Sequence, residues 1–348
     1  IANFLWFNAA SGSVGQYEMD AGAATWKCGE GRMSSGVVGY AVKNDTLSPR
    51  PFYVGSLTWS PNTFTRTWAS MSPSIRISAI FQIAGDGKIA YKRMPLFSSR
   101  AQAENYQVVF HEYCELLNNA GVLIPDTQTS IVEIPGRPVI LYIAQQMIPK
   151  ERIGNKLIHT QDLKANERLM QLIIDTSQRL WEFCEANKPE LEVGVDGQIS
   201  NWAHLDDGKD TIVYIDTSTP FIRKNGIHQM DVQILLKTIP GLLRWALSDK
   251  IAKEVMDRYY EPRKNMIDLL GNLYKEQKSS LIEPYMSLIN RQLPAGTDPI
   301  TLKAVKRYYR EDKAIWAFFL TLRKLDRWFT ATIRRKRYEY ILPGKIKR

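Results

Sequence analysis

Hydrophobic and polar positions divide the chain into a strand-rich first part and a helix-rich second part. Ile75 to Ile83 alternates and is β-branched, Gly85-Asp-Gly87 marks a tight turn, and Lys88 to Lys92 starts a return strand. Ser98-Ser99 introduces a helix over Arg100 to Ala120 that Gly121 ends. On that helix the spacing puts Val109, Glu112, Leu116 and Ala120 on one face. A second hairpin is predicted from Ile131 to Ile134 and Pro138 to Ala144, around Pro135-Gly136. Asp162 to Ala186 has the period of a long amphipathic helix. Asn201 to Leu205 and Thr211 to Ile215 read as short strands around Asp206-Asp-Gly208. From Gln229 onward the pattern is helical, interrupted at Pro240, Pro262, Pro284 and the loop from Pro294 to Pro299.

Residues 1–75 are rich in Gly, Ser, Thr, Pro and Trp. Gly36 to Val42 is a strand candidate there, and Asn44 to Met71 reads as a long loop or insertion. The order of elements predicts an α+β architecture. A β-rich part (1–144, with the insertion at about 44–74) is expected to meet a helical part (145–300) near Gln145-Gln146-Met147, followed by basic, aromatic C-terminal helices (301–348).

Composition narrows the class. The chain has 348 residues, long enough for two packed lobes, and its 44% hydrophobic and 24% charged content is that of a globular protein. Three widely spaced cysteines, Cys28, Cys114 and Cys184, argue against a disulfide framework and for a reducing compartment. Cys114 and Cys184 fall on predicted helices and are expected in the core. The apolar run Ala314 to Leu322 is too short to span a bilayer, and the first residues lack the basic flank of a signal peptide. A cytoplasmic location is expected.

The net charge of +10 is unevenly placed. Residues 301–348 hold 15 Lys plus Arg against 4 Asp plus Glu, so the rest of the chain is nearly neutral. Aromatics interleave with these cations, which suits an anionic membrane surface or RNA. The competing expectation is a docked terminal helix that buries Trp316, Phe319 and Trp328.

The chemistry concentrates in Val193 to Asn201 and Ile212 to Asp216. Asp196 precedes Asn201 by five residues, and Asp216 ends the apolar strand that follows the short hairpin. Three oxygen-bearing side chains on adjacent short elements suit a hard cation bound to phosphate oxygens. The plainer reading is an Asp-Gly turn and a strand-end cap. Zinc chemistry is disfavoured, because His111, His159, His204 and His228 lack ligand spacing, and no G-x-S-x-G elbow is present.

These residues resemble the protein-kinase-like superfamily, nearest its aminoglycoside and choline kinase-like branch. The resemblance implies a two-lobed fold with a small antiparallel β lobe and a larger helical lobe. It implies an ATP- and Mg²⁺-dependent phosphotransferase acting on a hydroxyl of a small molecule or an anionic carrier. Asp196 would orient the acceptor hydroxyl, while Asn201 and Asp216 would hold the metal. Ile89-Ala-Tyr-Lys92 looks like the phosphate-contacting lysine strand, and Glu112 is the expected partner of Lys92. Cys28 to Gly36 resembles a glycine-rich phosphate loop, with Gly29, Gly31 and Ser34 as donors. Gln146 and Met147, at the lobe junction, complete the nucleotide-side set. The pattern departs from the family where Gly194-Val195 replaces the usual residues before the catalytic Asp, and where Thr217-Ser218 follows Asp216. Two other readings follow: a catalytically weak pseudokinase acting as a nucleotide-, membrane- or nucleic-acid-associated scaffold, and a binding module with no nucleotide site.

Overall fold

The computed structural model describes residues 2–5, 15–20, 23–28, 35–43, 46–47, 52–57, 79–83, 86–133, 138–231, 234 and 256–335. Its architecture is α+β, with antiparallel sheets concentrated in one unit and helices in the other. One compact unit comprises 1–68, 78–100 and 126–147; the second comprises 69–77, 101–125 and 148–348.

Among the described residues the first unit holds ten strands: β1 (Ala2–Leu5), β2 (Gly15–Asp20), β3 (Ala23–Cys28), β4 (Ser35–Lys43), β5 (Thr46–Leu47), β6 (Phe52–Leu57), β7 (Ala79–Ile83), β8 (Asp86–Phe97), β9 (Thr127–Val132) and β10 (Val139–Gln146). The expected long loop at 44–71 contains β6, which pairs with β4; a strand partner overrides the local Pro and aromatic composition. The best-defined sheet has the order β7-β8-β10-β9, antiparallel throughout. Lys92 stands opposite Ile80 on one side and Ile143 on the other. Apolar side chains at Tyr91, Met94, Leu141 and Ile143 are buried there. The turn residues Pro135 and Gly136 lie outside the described residues.

The second unit is mainly helical. Its first helix, α1 (Arg100–Asn119, beginning at the unit boundary), buries Ala103, Tyr106, Phe110, Tyr113, Cys114 and Leu117. That stripe is not the predicted one: Val109, Glu112 and Leu116 flank it, and Tyr106 and Tyr113 carry the burial. Gly121 ends the helix at φ +74°, a left-handed conformation that favours glycine. The helix α2 (Gly154–Thr160) precedes α3 (Leu163–Asn187), which Asp162 caps by accepting from the Ala165 N–H at 2.8 Å.

Short strands follow: β11 (Leu191–Val193), β12 (Trp202–His204), β13 (Ile212–Tyr214), β14 (Ile222–Lys224) and β15 (Ile227–His228). Then come α4 (Pro262–Lys275), α5 (Ile282–Asn290) and α6 (Leu302–Trp328). Pro284 was expected to interrupt a helix. It sits instead in the first turn of α5, where its missing N–H costs no intrahelical bond. Pro262 begins α4 for the same reason. Pro240 lies outside the described residues.

Cys114 and Cys184 are buried and unpaired, as core packing predicts, and burial pushes the Cys114 thiol up to about 12. Among the described residues no helix is long and apolar enough to cross a membrane.

Candidate functional site

The segment 194–201 is a buried irregular loop between β11 and β12, tied down along its length. Gly194 donates to the Phe221 carbonyl at 2.9 Å and accepts from the Tyr113 hydroxyl at 2.7 Å. Val195 donates to the Tyr259 carbonyl, and its own carbonyl accepts from Asn265 Nδ2. Asp196 N–H donates to the Tyr214 hydroxyl at 3.0 Å. Buried backbone polar groups demand such partners, and each anchor comes from a different element.

The loop also makes a turn around Asp196. Its Oδ1 accepts from Gln198 N–H at 3.1 Å, while Gln198 Nε2 lies 3.5 Å from Oδ2. The backbone carbonyl of Asp196 accepts from Asn201 Nδ2 at 3.2 Å. This contact uses the nitrogen of the Asn201 amide and leaves its oxygen as the acceptor end. Next, Ile215 N–H donates to the Asn201 carbonyl at 2.8 Å, and Trp202 and Tyr214 are opposed in the β12–β13 pair. The Asn201 backbone is thereby tied to Ile215, the residue before Asp216, at the mouth of one short hairpin. Asp216 is half-buried, and its Oδ1 accepts from Ser218 Oγ at 2.9 Å.

Asp196 is 7% exposed. Burial holds its carboxyl well above the usual carboxylate range, and the negative charges of Asp268 and Asp216 push the same way. The Gln198 N–H and the Lys275 ammonium oppose them. Two oxygen donors, the Asn201 amide and the Asp216 carboxylate, fit a hard divalent cation. Among the described residues no group of three or more His, Cys, Asp or Glu is placed to hold a metal.

Residues 77–327 match the model of a family of unknown function, DUF6206. The chain belongs to that family. No curated protein matches it. Among solved structures it aligns with "WaaP in complex with acyl carrier protein" at 10% identity, covering 66% of this chain and 94% of that one, with a TM-score of 0.28. At that score the alignment carries no weight for fold or chemistry.

The structure thus brings Asp196, Asn201 and Asp216 together in the second unit. Lys92 lies on β8 and Gln146 on β10 in the first unit, and Met147 N–H, just beyond β10, donates to the Lys88 carbonyl at 2.7 Å. Gly29, Gly31 and Ser34 lie outside the described residues. Glu112 forms its ion pair with Lys224, at 2.5 Å, and its side chain is 33% exposed. The expectation that Glu112 lies on a buried apolar face is therefore corrected. It flanks the buried stripe, and Lys224 of β14 supplies the cation.

Several contributors were missed by sequence reasoning. From α4, Asn265 holds the Val195 carbonyl, Asn272 Nδ2 approaches Gln198 Oε1 at 3.4 Å, and Asp268 bears electrostatically on Asp196. Asp268 accepts from the Tyr308 hydroxyl at 2.6 Å, and Arg258 donates to that hydroxyl at 2.8 Å. The available signal was three polar residues at spacings of three and four among Met266, Ile267, Leu269, Leu270 and Leu273. Such a stripe on an otherwise apolar helix marks a buried polar contact.

Near the end of α4, burial pushes the Glu276 carboxyl up to about 7, against a hydrogen bond from Asn155 and the charges of Lys156 and Lys275.

Proposed function

We propose that the protein is an ATP- and Mg²⁺-dependent phosphotransferase of kinase-like fold, acting on a hydroxyl of a small molecule or an anionic carrier. The observation that carries this reading is the hydrogen bond from Ile215 to Asn201, which ties the residue before Asp216 to Asn201 next to the Asp196 loop. When bound, Mg²⁺ would offset phosphate charge and orient the transferred group. Asn201 and Asp216 would hold it. Asp196 would accept a hydrogen bond from the acceptor hydroxyl and take up its proton, for which a raised pKa is suited. Lys92, Gln146 and Met147 keep their nucleotide-side roles on the strength of the sequence resemblance.

A second reading has its own support. Both carboxylate oxygens of Asp196 face Gln198, and Gly194-Val195 precede it as a buried apolar pair. An acceptor hydroxyl would have to share the carboxylate with Gln198, on the lone pairs that Gln198 leaves open. This favours a pseudokinase that binds nucleotide without turnover.

Thermal denaturation with ATP, with and without Mg²⁺, followed by assay of γ-phosphate loss, separates the readings. Mg²⁺-dependent stabilisation of roughly 2.7 kcal/mol at a hundredfold excess over Kd is expected. Phosphate transfer supports the enzyme, and stabilisation without transfer supports the pseudokinase. No shift at millimolar ATP leaves a binding module without a nucleotide site.

A further inference from the structure

The helix α6 has two halves of different character. Its first half packs on α4. Tyr308 bonds to Asp268, Tyr309 stacks on Tyr274 with ring centroids 4.9 Å apart, and Asp312 pairs with Lys275 at 3.0 Å. Beyond Asp312 most of the described side chains turn to solvent, although Arg323 is buried at 3% exposure. Ile315, Phe318, Leu325, Trp328, Phe329 and Ile333 are all exposed, Trp328 by 57%. The docked arrangement expected of Trp328 is therefore not what forms; the side chains of Trp316 and Phe319 lie outside the described residues.

These positions are not scattered. At about 100° per residue, Ile315, Phe318, Leu325, Trp328 and Phe329 fall within an arc of about 140°. Lys313, Lys324 and Arg327, also exposed, fall within a separate arc of about 60° that starts about 40° from Trp328. Exposed Arg334 and Arg335 follow, and the Arg334 guanidinium lies 5.1 Å from the Phe329 ring centroid. A soluble monomer rarely exposes so many large apolar groups in one stripe.

We propose that the second half of α6, from Lys313 to Arg335, is an in-plane anchor for an anionic lipid bilayer. An apolar arc with aromatics at its end and a separate arc of cations flanking it is the pattern of a helix lying in the headgroup region. The apolar arc enters the acyl boundary, and the cations face anionic headgroups within a Debye length. RNA fits less well, because Ile315, Leu325 and Ile333 offer no surface for base stacking. A second copy fits less well too, because pairing the apolar arcs brings two sets of cations together without neutralising them.

The test is sedimentation of the full chain with phosphatidylcholine vesicles, with and without about one third phosphatidylglycerol. Binding should require the anionic lipid, weaken with added salt, and fall about tenfold or more in Leu325→Ser/Trp328→Ser. Lys324→Glu/Arg327→Glu should abolish the preference for anionic lipid. Circular dichroism should show both variants folded, since all four side chains are exposed. Absence of binding to anionic vesicles overturns the proposal. So does binding that both variants retain. Retention on RNA at least as strong as on vesicles assigns the face to nucleic acid and overturns it. A dimer that Leu325→Ser/Trp328→Ser converts to monomer, without vesicle binding by either form, assigns the face to a second copy and overturns it.

Discussion

A Cβ placed on Gly197 would sit 2.3 Å from Oδ1 of Asn265, closer than any real side-chain carbon approaches a neighbour. The same Asn265 holds the Val195 carbonyl through Nδ2, so the two residues lock the loop onto α4 from both sides of Asp196. Gly197→Ala must displace either the loop or the amide. It is expected to cost on the order of 1–3 kcal/mol and to reduce any activity. Chemical denaturation, with the transition midpoint compared at constant slope, checks the first part. An unchanged midpoint refutes the close packing.

Asp196→Asn should lower phosphate transfer by about 10²-fold or more while leaving Mg²⁺-dependent nucleotide binding in place. Asp216→Ala should instead remove the Mg²⁺-dependent part of the nucleotide-induced stabilisation. Calorimetric titration of ATP with and without Mg²⁺ on both variants distinguishes a proton acceptor from a metal ligand. Equal loss of binding in both variants contradicts the division of roles.

Glu276 predicts a pH effect on stability. Its folded pKa, about 7, lies above its ordinary value, so the folded state holds the proton more tightly than the unfolded chain. The stabilising contribution is present in full below about pH 4.5 and is lost as pH rises towards 7. Glu276→Gln keeps an acceptor for Asn155 and removes the charge. It should raise the stability at pH 8 by on the order of 1–3 kcal/mol, and with it the melting temperature, and leave both nearly unchanged at pH 4.5. Melting curves across that range decide the matter. A variant that is less stable at pH 8 contradicts the assignment.

Tyr308→Phe removes one hydroxyl that serves two partners, Asp268 and Arg258. Both are left with altered hydrogen bonding in a buried region, so a loss of about 1–3 kcal/mol is expected. A Tyr309→Phe control should be milder, since Tyr309 meets Tyr274 by ring stacking, which Phe retains. If the two variants melt alike, the hydroxyl carries no weight.

Local chemistry accounts for what was legible in the sequence. The β7–β8 hairpin and the ends of α1 follow from turn residues and a terminal glycine, each acting within a few positions. The trio Asp196, Asn201 and Asp216 was legible because the spacing and the intervening hairpin are local too. The buried face of α1 was misread, since Tyr106 and Tyr113 present polar tips on apolar bodies, and a hydroxyl bond such as Tyr113 to Gly194 is what permits their burial. The polar stripe of α4 stayed hidden for a different reason. Asn265 gains its meaning from Val195, 70 residues away, and no local pattern encodes that meeting. Lys224 could not be assigned to Glu112 from sequence on the same ground.

Gly271 bears on how the molecule can be dissected. A Cβ there would lie 2.8 Å from the Tyr308 ring, so α4 and the first half of α6 are fitted to each other at van der Waals range. A chain cut before Leu302 would strip that ring away, together with the hydroxyl bonded to Asp268 and the carboxylate paired with buried Lys275. A cut just after Asp312 would spare all three. The contacts that Tyr308 and Asp312 make with α4 therefore end inside a continuous helix, not at the loop that precedes it.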